Sequence, residues 1–152
     1  MEMNETDRRI LRAIQEYPEL SVRELAEVTG LSHTPVWRRL KRLRENGYIG
    51  EKRYVLDAPK LGFDIVAFCF VRMKEHNRNT LLEFESKTKE ICEIVQCYSA
   101  TGDHDYILKV LARSVRDYEE TIKHKLLQLP HVAFISTSFT LKEVKNSSDV
   151  PV

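Results

Sequence analysis

SVRELAEVTGLSHTPVWRRLKRLR, residues 21–44, carries the signals for two helices and the turn between them. Ser21 and Glu24 have the S-x-x-E spacing in which a hydroxyl caps the N3 amide and a carboxylate reaches back to the cap amide. Val22, Leu25 and Ala26 give this helix an apolar side, and Gly30 stands where a helix stops in the left-handed conformation. Leu31 bridges the turn, and Ser32 is the next N-cap. Pro35 falls in the first turn that follows, where a missing N–H costs nothing. The second helix runs to Asn46 and ends at Gly47. Such a pair is a helix-turn-helix, whose second helix ordinarily lies in the major groove of DNA.

The side chains of the second helix separate a reader of DNA from a packing element. At about 100° per residue, Val36, Leu40 and Leu43 form a narrow apolar stripe. Thr34, Trp37, Arg38, Lys41, Arg42 and Arg44 project from the opposite half. Between Thr34 and Asn46, Arg38, Arg39, Lys41, Arg42 and Arg44 stand against a single acidic residue, Glu45. Such a face suits phosphate neutralisation, and Arg is also the commonest bidentate reader of guanine. The candidate contacts to double-stranded promoter or operator DNA are Ser32, Thr34, Trp37, Arg38, Arg39, Lys41 and Arg42. The plainer alternative is a solvated amphipathic helix, but capping, turn and one-sided charge agree with the motif.

A chain of 152 residues allows one medium domain or two small ones. Its net charge of +1 is unevenly spread. Residues 1–53 hold eleven Lys/Arg and nine Asp/Glu, and residues 54–152 hold thirteen and fourteen. The basic character is therefore a local patch. No apolar run reaches the ~18 residues that span a bilayer, and Met1 to Arg9 lacks a signal peptide's apolar core, so a cytoplasmic protein is expected. Cys69, Cys92 and Cys97 are an odd set without export signal, which argues against a disulfide framework. Cys69 lies in the apolar run FCFV and reads as core, and no zinc-type pair or His cluster accompanies the others. No metal site or cofactor is expected.

Asn4 can cap a first helix bearing Ile10, Leu11, Ile14 and Tyr17, ending before Pro18. Residues 1–50 thus form a three-helix DNA-binding head. Residues 51–62 read as a linker with a short strand, since Tyr48, Ile49, Tyr54, Val55 and Leu56 suggest extended pieces. Lys52 and Arg53 are either a basic wing against the DNA backbone or an ordinary solvated linker. Then the pattern alternates. Phe63–Met73 is a strand, Asn77 or Asn79 opens a helix, Ile91–Ser99 and Tyr106–Ala112 are strands, Ser114 caps a helix closed by Pro130, and Val132–Val144 is the last strand. This β-α-β-β-α-β order is the ferredoxin-like split βαβ arrangement, with two helices on one face of four strands. The fold class is α+β, a helix-turn-helix followed by this domain over residues 63–152.

A sheet covered on one side should alternate apolar and polar residues. Residues 63–71, FDIVAFCFV, and 106–111, YILKVL, barely do, although they would be the two central strands. Their second face needs a cover. The simplest is the same sheet from another copy, giving a twofold homodimer that also doubles the DNA heads.

Read together, the two halves resemble the Lrp/AsnC (leucine-responsive, feast/famine) transcription regulators. The resemblance rests on LSHTPVWRRLKRL at 31–43, NGYI at 46–49, TGDHDY at 101–106, LPHV at 129–132 and TSFTLKEVK at 137–145, in the right order over the full length. It implies a winged-type helix-turn-helix joined to an amino-acid-sensing domain. It also implies dimers that associate to tetramers or octamers, and a small-molecule effector, an amino acid by family analogy, bound in clefts between dimers. Carried over by position, the effector-binding residues are Thr101, Gly102, Asp103, His104, Asp105 and Tyr106, with Thr137 and Ser138 on the last strand. Gly102 permits close backbone approach, turn N–H groups suit an α-carboxylate, and Asp103 or Asp105 suits an α-ammonium. The same Asp residues also serve simply to stabilise a turn. His131 stands where the family usually has Gly, and Ile135 replaces a commonly polar residue. Siroheme decarboxylases are similar in both domains and offer an enzyme reading through His76, His104, His124 or His131. No nucleophile with base and orienter is visible, so a regulator without catalytic activity is the expectation.

Overall fold

Asn4 and Ser21 both start helices through reciprocal caps. The computed structural model describes residues 3–152, and in it the Asn4 side chain accepts from the Asp7 amide at 3.0 Å while the Asp7 carboxylate accepts from the Asn4 amide at 3.3 Å. Helix α1 follows as Glu5–Glu16. Ser21 and Glu24 repeat the exchange before α2, Val22–Thr29, which stops on Gly30 at φ 64°. Helix α3 is His33–Glu45; Ser32 occupies its cap position, but the hydroxyl makes no cap bond. Ile10, Leu11, Ala13, Leu25, Ala26, Val36, Leu40 and Leu43 form one buried cluster among the three helices. Tyr17 departs from the helical reading. The helix ends at Glu16, and Tyr17 sits at its C-cap, exposed.

The stretch after α3 forms no strand. Tyr54, Val55 and Leu56 are 96, 92 and 72% exposed, and only a 3₁₀ turn at Pro59–Leu61 interrupts the irregular path. Extended segments become strands by ladder pairing, and the described chain supplies no partner here. Lys52 and Arg53 consequently lie on an unpaired linker, which corrects the expected short strand.

In the second unit the strands are β1 (Ile65–Met73), β2 (Ile94–Ser99), β3 (Tyr106–Ala112) and β4 (Val132–Phe139), ordered β2-β3-β1-β4 with antiparallel neighbours. Helices α4 (Arg78–Lys89) and α5 (Val115–His124) are capped by Asn77 and Ser114. Ala67, Cys69, Val71, Met73, Leu108 and Val110 form one core with Phe84, Tyr118, Leu126 and Leu129. The intervening residues of the central strands, Val66, Phe68, Phe70, Ile107, Lys109 and Leu111, are only partly covered.

Several boundaries differ from the sequence reading, among them the start of β1, at Ile65 rather than Phe63. Strand β2 starts at Ile94 because the amides of Ile91 and Ile94 close turns instead. Strand β4 stops at Phe139, opposite Ala67, and only the Thr140 amide continues the ladder, donating to Val66 O at 2.9 Å. A separate 3₁₀ turn, Leu126–Gln128, follows α5. The described residues divide into two compact units, 55–144 and a helical unit made of residues 3–54 together with 145–152. Segment 145–152 thus departs from the reading that placed it with the sheet.

Candidate nucleic-acid interface and effector turn

The cations of α3 serve two different ends. Asp7 lies on α1 with no exposed side-chain surface. Its carboxylate accepts from Arg39 Nη1 at 2.8 Å and from Arg42 Nη2 at 3.0 Å to each oxygen. Burial pushes this carboxyl up, but the Arg39 bond, the Asn4 amide and the charges of both guanidiniums together hold it below the usual carboxylate range. Arg39 and Arg42 are 25 and 43% exposed and bolt α3 to α1. This changes the reading of a uniform cationic half, because two of its arginines are already engaged. They flank the apolar stripe on the side turned to α1.

The remaining side chains point outward. Arg38 makes no hydrogen bond or ion pair among the described residues. Lys41 Nζ stands 5.6 Å from the centroid of Trp37, whose ring is 51% exposed, and reaches Glu45 only at 3.8 Å. Ser32, Thr34 and Arg44 are exposed beside them. An open surface of two hydroxyls, an indole and three cations suits phosphate and base edges.

In the second unit, the β2–β3 turn is pinned to the end of β1. The Asp105 amide donates to Val71 O at 2.9 Å, and the Ala100 amide donates to Asp105 O at 2.8 Å. The Asp105 carboxylate accepts from the Met73 amide at 2.7 Å and meets His76 Nε2 at 2.8 Å. The Met73 amide, outweighing a smaller burial effect, holds that carboxyl below its ordinary range, with His76 and Arg72 adding to it. Arg72 donates from Nε and Nη2 to the Asp103 carbonyl at 3.0 and 2.7 Å. The β1–β4 register shifts between Arg72 and Met73, the kind of irregularity that re-aims a side chain. Gly102 sits at φ 104° with open space where a Cβ would stand.

The two acidic residues of the turn are therefore unlike. Both oxygens of Asp105 are taken, whereas the Asp103 carboxylate is exposed and only its backbone carbonyl is bound. The His104 ring packs 5.3 Å from Phe70, and its buried Nδ1 has no partner. The Tyr106 hydroxyl donates to Glu85 at 2.8 Å, and burial with that carboxylate keeps it protonated. Arg72 and His76 were absent from the sequence-derived effector set, although His76 was named for the enzyme alternative.

Thr137 lies elsewhere. Its hydroxyl is 2.5 Å from that of Tyr118, which also stands 3.1 Å from Cys69 Sγ inside the core. Thr137 pairs with Cys69 and Ser138 with Phe68, two to four residues along β1 from the pinned turn. Two strand spacings and two residue steps separate Thr137 from Tyr106, on the order of 12 Å. One chain does not gather the turn and the β4 residues into a single pocket.

The histidines do not converge. His76 meets Asp105, His124 meets Glu120 and His131 meets Glu83, and no group of three or more metal-type side chains occurs among the described residues. His131 takes φ 60°, the left-handed region where a glycine would be relaxed. No described helix is long and apolar enough to cross a membrane.

With this geometry in view, the comparisons with known proteins are direct. Residues 66–150 match the Lrp/AsnC ligand binding domain, and residues 3–49 match a winged helix-turn-helix DNA-binding domain. A proline dehydrogenase transcriptional activator of Rhizobium radiobacter is 36% identical over 96% of this chain and 94% of its own. A DNA-binding transcriptional activator of Escherichia coli is 28% identical over 99% of each. An AsnC family transcriptional regulator from Agrobacterium tumefaciens superposes with a TM-score of 0.92 at 32% identity, covering 98% of this chain and 97% of that one. A transcriptional regulator of Neisseria meningitidis, solved in complex with L-Met, superposes equally well at 27% identity, covering 99 and 97%. The chain belongs to the Lrp/AsnC family of transcriptional regulators. It is a DNA-binding regulator of transcription, and the decarboxylase alternative is not favoured.

Proposed function

We propose that Arg38, Lys41, Trp37, Thr34 and Ser32 make the contacts to promoter DNA, with Arg44 beside them. Arg39 and Arg42 chiefly hold the helix in place. The observation that carries this reading is the division of α3's cations between a buried carboxylate and open solvent. The regulator works as a homodimer, and dimers associate further to tetramers or octamers. The partly covered apolar face of β1 and β3 supports pairing, because a dry second sheet face requires a cover. Phe68→Asp should break that pairing. Sedimentation of the variant at micromolar concentration is expected to give a monomer, and an unchanged mass would exclude this face as the seam.

The effector is an amino acid held at residues 101–106 of one chain, with Thr137 and Ser138 entering from another copy. Exposed turn N–H groups suit its carboxylate, and Asp103 is the free acid for its ammonium. Asp105 acts by holding the turn. L-Met bound to the Neisseria meningitidis neighbour makes it the first probe to use. Binding shifts the balance between assembled arrangements, through different affinities for them, and so the placement of the heads.

Asp105→Asn tests the assignment. It removes the charge facing His76 and weakens the Met73 bond, so the turn loosens. Amino-acid response in a thermal-shift panel is expected to fall at least about tenfold, the coupling of roughly 1.4 kcal/mol typical of such sites. Duplex binding without effector should persist. A variant that keeps the full response would remove Asp105 from the site, and a variant that loses DNA binding would contradict the separation of roles.

A further inference from the structure

We propose that residues 145–152 form a strap that docks on α1 and, through α1, sets the DNA-contacting face of α3. After Phe139 and five further residues the chain rejoins the helical unit. There the Gln15 carboxamide pairs with Val150 as a neighbouring strand would. Gln15 Nε2 donates to Val150 O at 3.1 Å, and the Val150 amide donates to Gln15 Oε1 at 2.7 Å. Arg12 Nε donates to Val152 O at 2.6 Å while its Nη1 holds Glu5 at 2.9 Å. The Val152 side chain packs against the helical core.

The segment is also shaped for this path. Ser147 donates from its hydroxyl to the Asp149 carboxylate at 2.8 Å and accepts from the Asp149 amide at 3.1 Å, and Pro151 fixes the backbone between the two anchored valines. Ser148 lies on a cavity of about 620 Å³ whose wall includes Gln15, Leu40, Arg44 and Lys52. The strap therefore touches α1 and runs past the last turn of α3.

One continuous set of contacts follows. The strap grips α1 through Arg12 and Gln15, and α1 grips α3 through Asp7, Arg39 and Arg42. A change in the docking of the strap is handed to α1, and from there to the outward face of α3. Energetic coupling of this kind is reciprocal: whatever the strap does to DNA affinity, DNA must do to the strap. The proposal rests on α3 being the DNA-contacting helix.

Gln15→Ala in the full chain is the test, with Arg12→Ala as a second variant. Neither side chain is buried, so neither should unfold the head. In hydrogen exchange, the Val150 amide of the wild type should be slowed at least about tenfold against the free peptide of residues 145–152. Gln15→Ala should return it to the peptide rate. Affinity for a mixed-sequence duplex of roughly 30 base pairs, at low salt where non-specific binding is measurable, should change at least about fivefold in both variants. Duplex binding by the wild type should alter strap exchange in turn. Exchange at the peptide rate in the wild type would overturn the docking. A freed strap with duplex affinity within about twofold of wild type would overturn the coupling. Wild-type protein that ignores duplex altogether would remove the α3 reading and the coupling with it, while the exchange data would still report on the docking.

Discussion

Asp7→Asn is expected to lower the stability of the helical unit by about 3 kcal/mol, the low end of what breaking a buried ion pair costs. Asp7 takes hydrogen bonds from two guanidiniums and one amide with no exposed surface of its own. Asparagine keeps the shape and one acceptor, but leaves two arginines facing a neutral group. Both are partly exposed, so water compensates them in part, which is why the upper end of the range is not expected. Thermal unfolding followed by far-UV circular dichroism measures the loss, and a shift under about 2 °C would show that the pair contributes little. The pH dependence has a definite sign. The Asp7 carboxyl is held below its ordinary 3.8 in the folded state, so its contribution is complete well above 3.8 and is lost as pH falls from there through the lower folded-state value. The wild type should therefore lose stability in acid more steeply than Asp7→Asn.

Asp7 also shows where sequence reading stops. Its position three residues after Asn4 is legible as a capping residue, and the cap forms. Nothing local says that the same carboxylate reaches across thirty-two residues to Arg39 and thirty-five to Arg42. The periodicity of α3 placed Val36, Leu40 and Leu43 correctly inside, because apolar burial follows helical angle. It could not divide the cations, because charge on a helix surface carries no record of its partner.

The second unit was legible for a related reason. Capping residues and apolar runs mark its elements in order, and Gly102 marks the turn. Strand ends were less clear, since Ile91 and residues 140–144 are compatible with extended structure and only ladder partners decide. The turn's hidden supports, Arg72 and His76, belong to a strand end and a loop about thirty residues earlier. Thr137 was named for its place in a recognisable run, and in the single chain its hydroxyl stands 2.5 Å from that of Tyr118. The departure of residues 145–152 to the helical unit had no sequence signal beyond a polar, proline-containing stretch.

Arg38→Ala combined with Lys41→Ala should produce the largest functional loss. Each side chain is outward and neither supports the helical core, so folding should be unchanged. Losing two phosphate or base-edge contacts at roughly 1–3 kcal/mol each corresponds to at least about thirtyfold weaker operator binding. If a contact is to phosphate, its removal also lowers the salt slope by about one.

The most direct measurement is the salt dependence of duplex binding by the wild type and the Arg38→Ala, Lys41→Ala double variant, followed by fluorescence anisotropy. The division of α3 into bound and outward cations requires the variant to bind at least about thirtyfold more weakly, with a slope of log affinity against log salt shallower by about one to two. Equal affinity and equal slope in the two proteins, with circular dichroism unchanged, would contradict it.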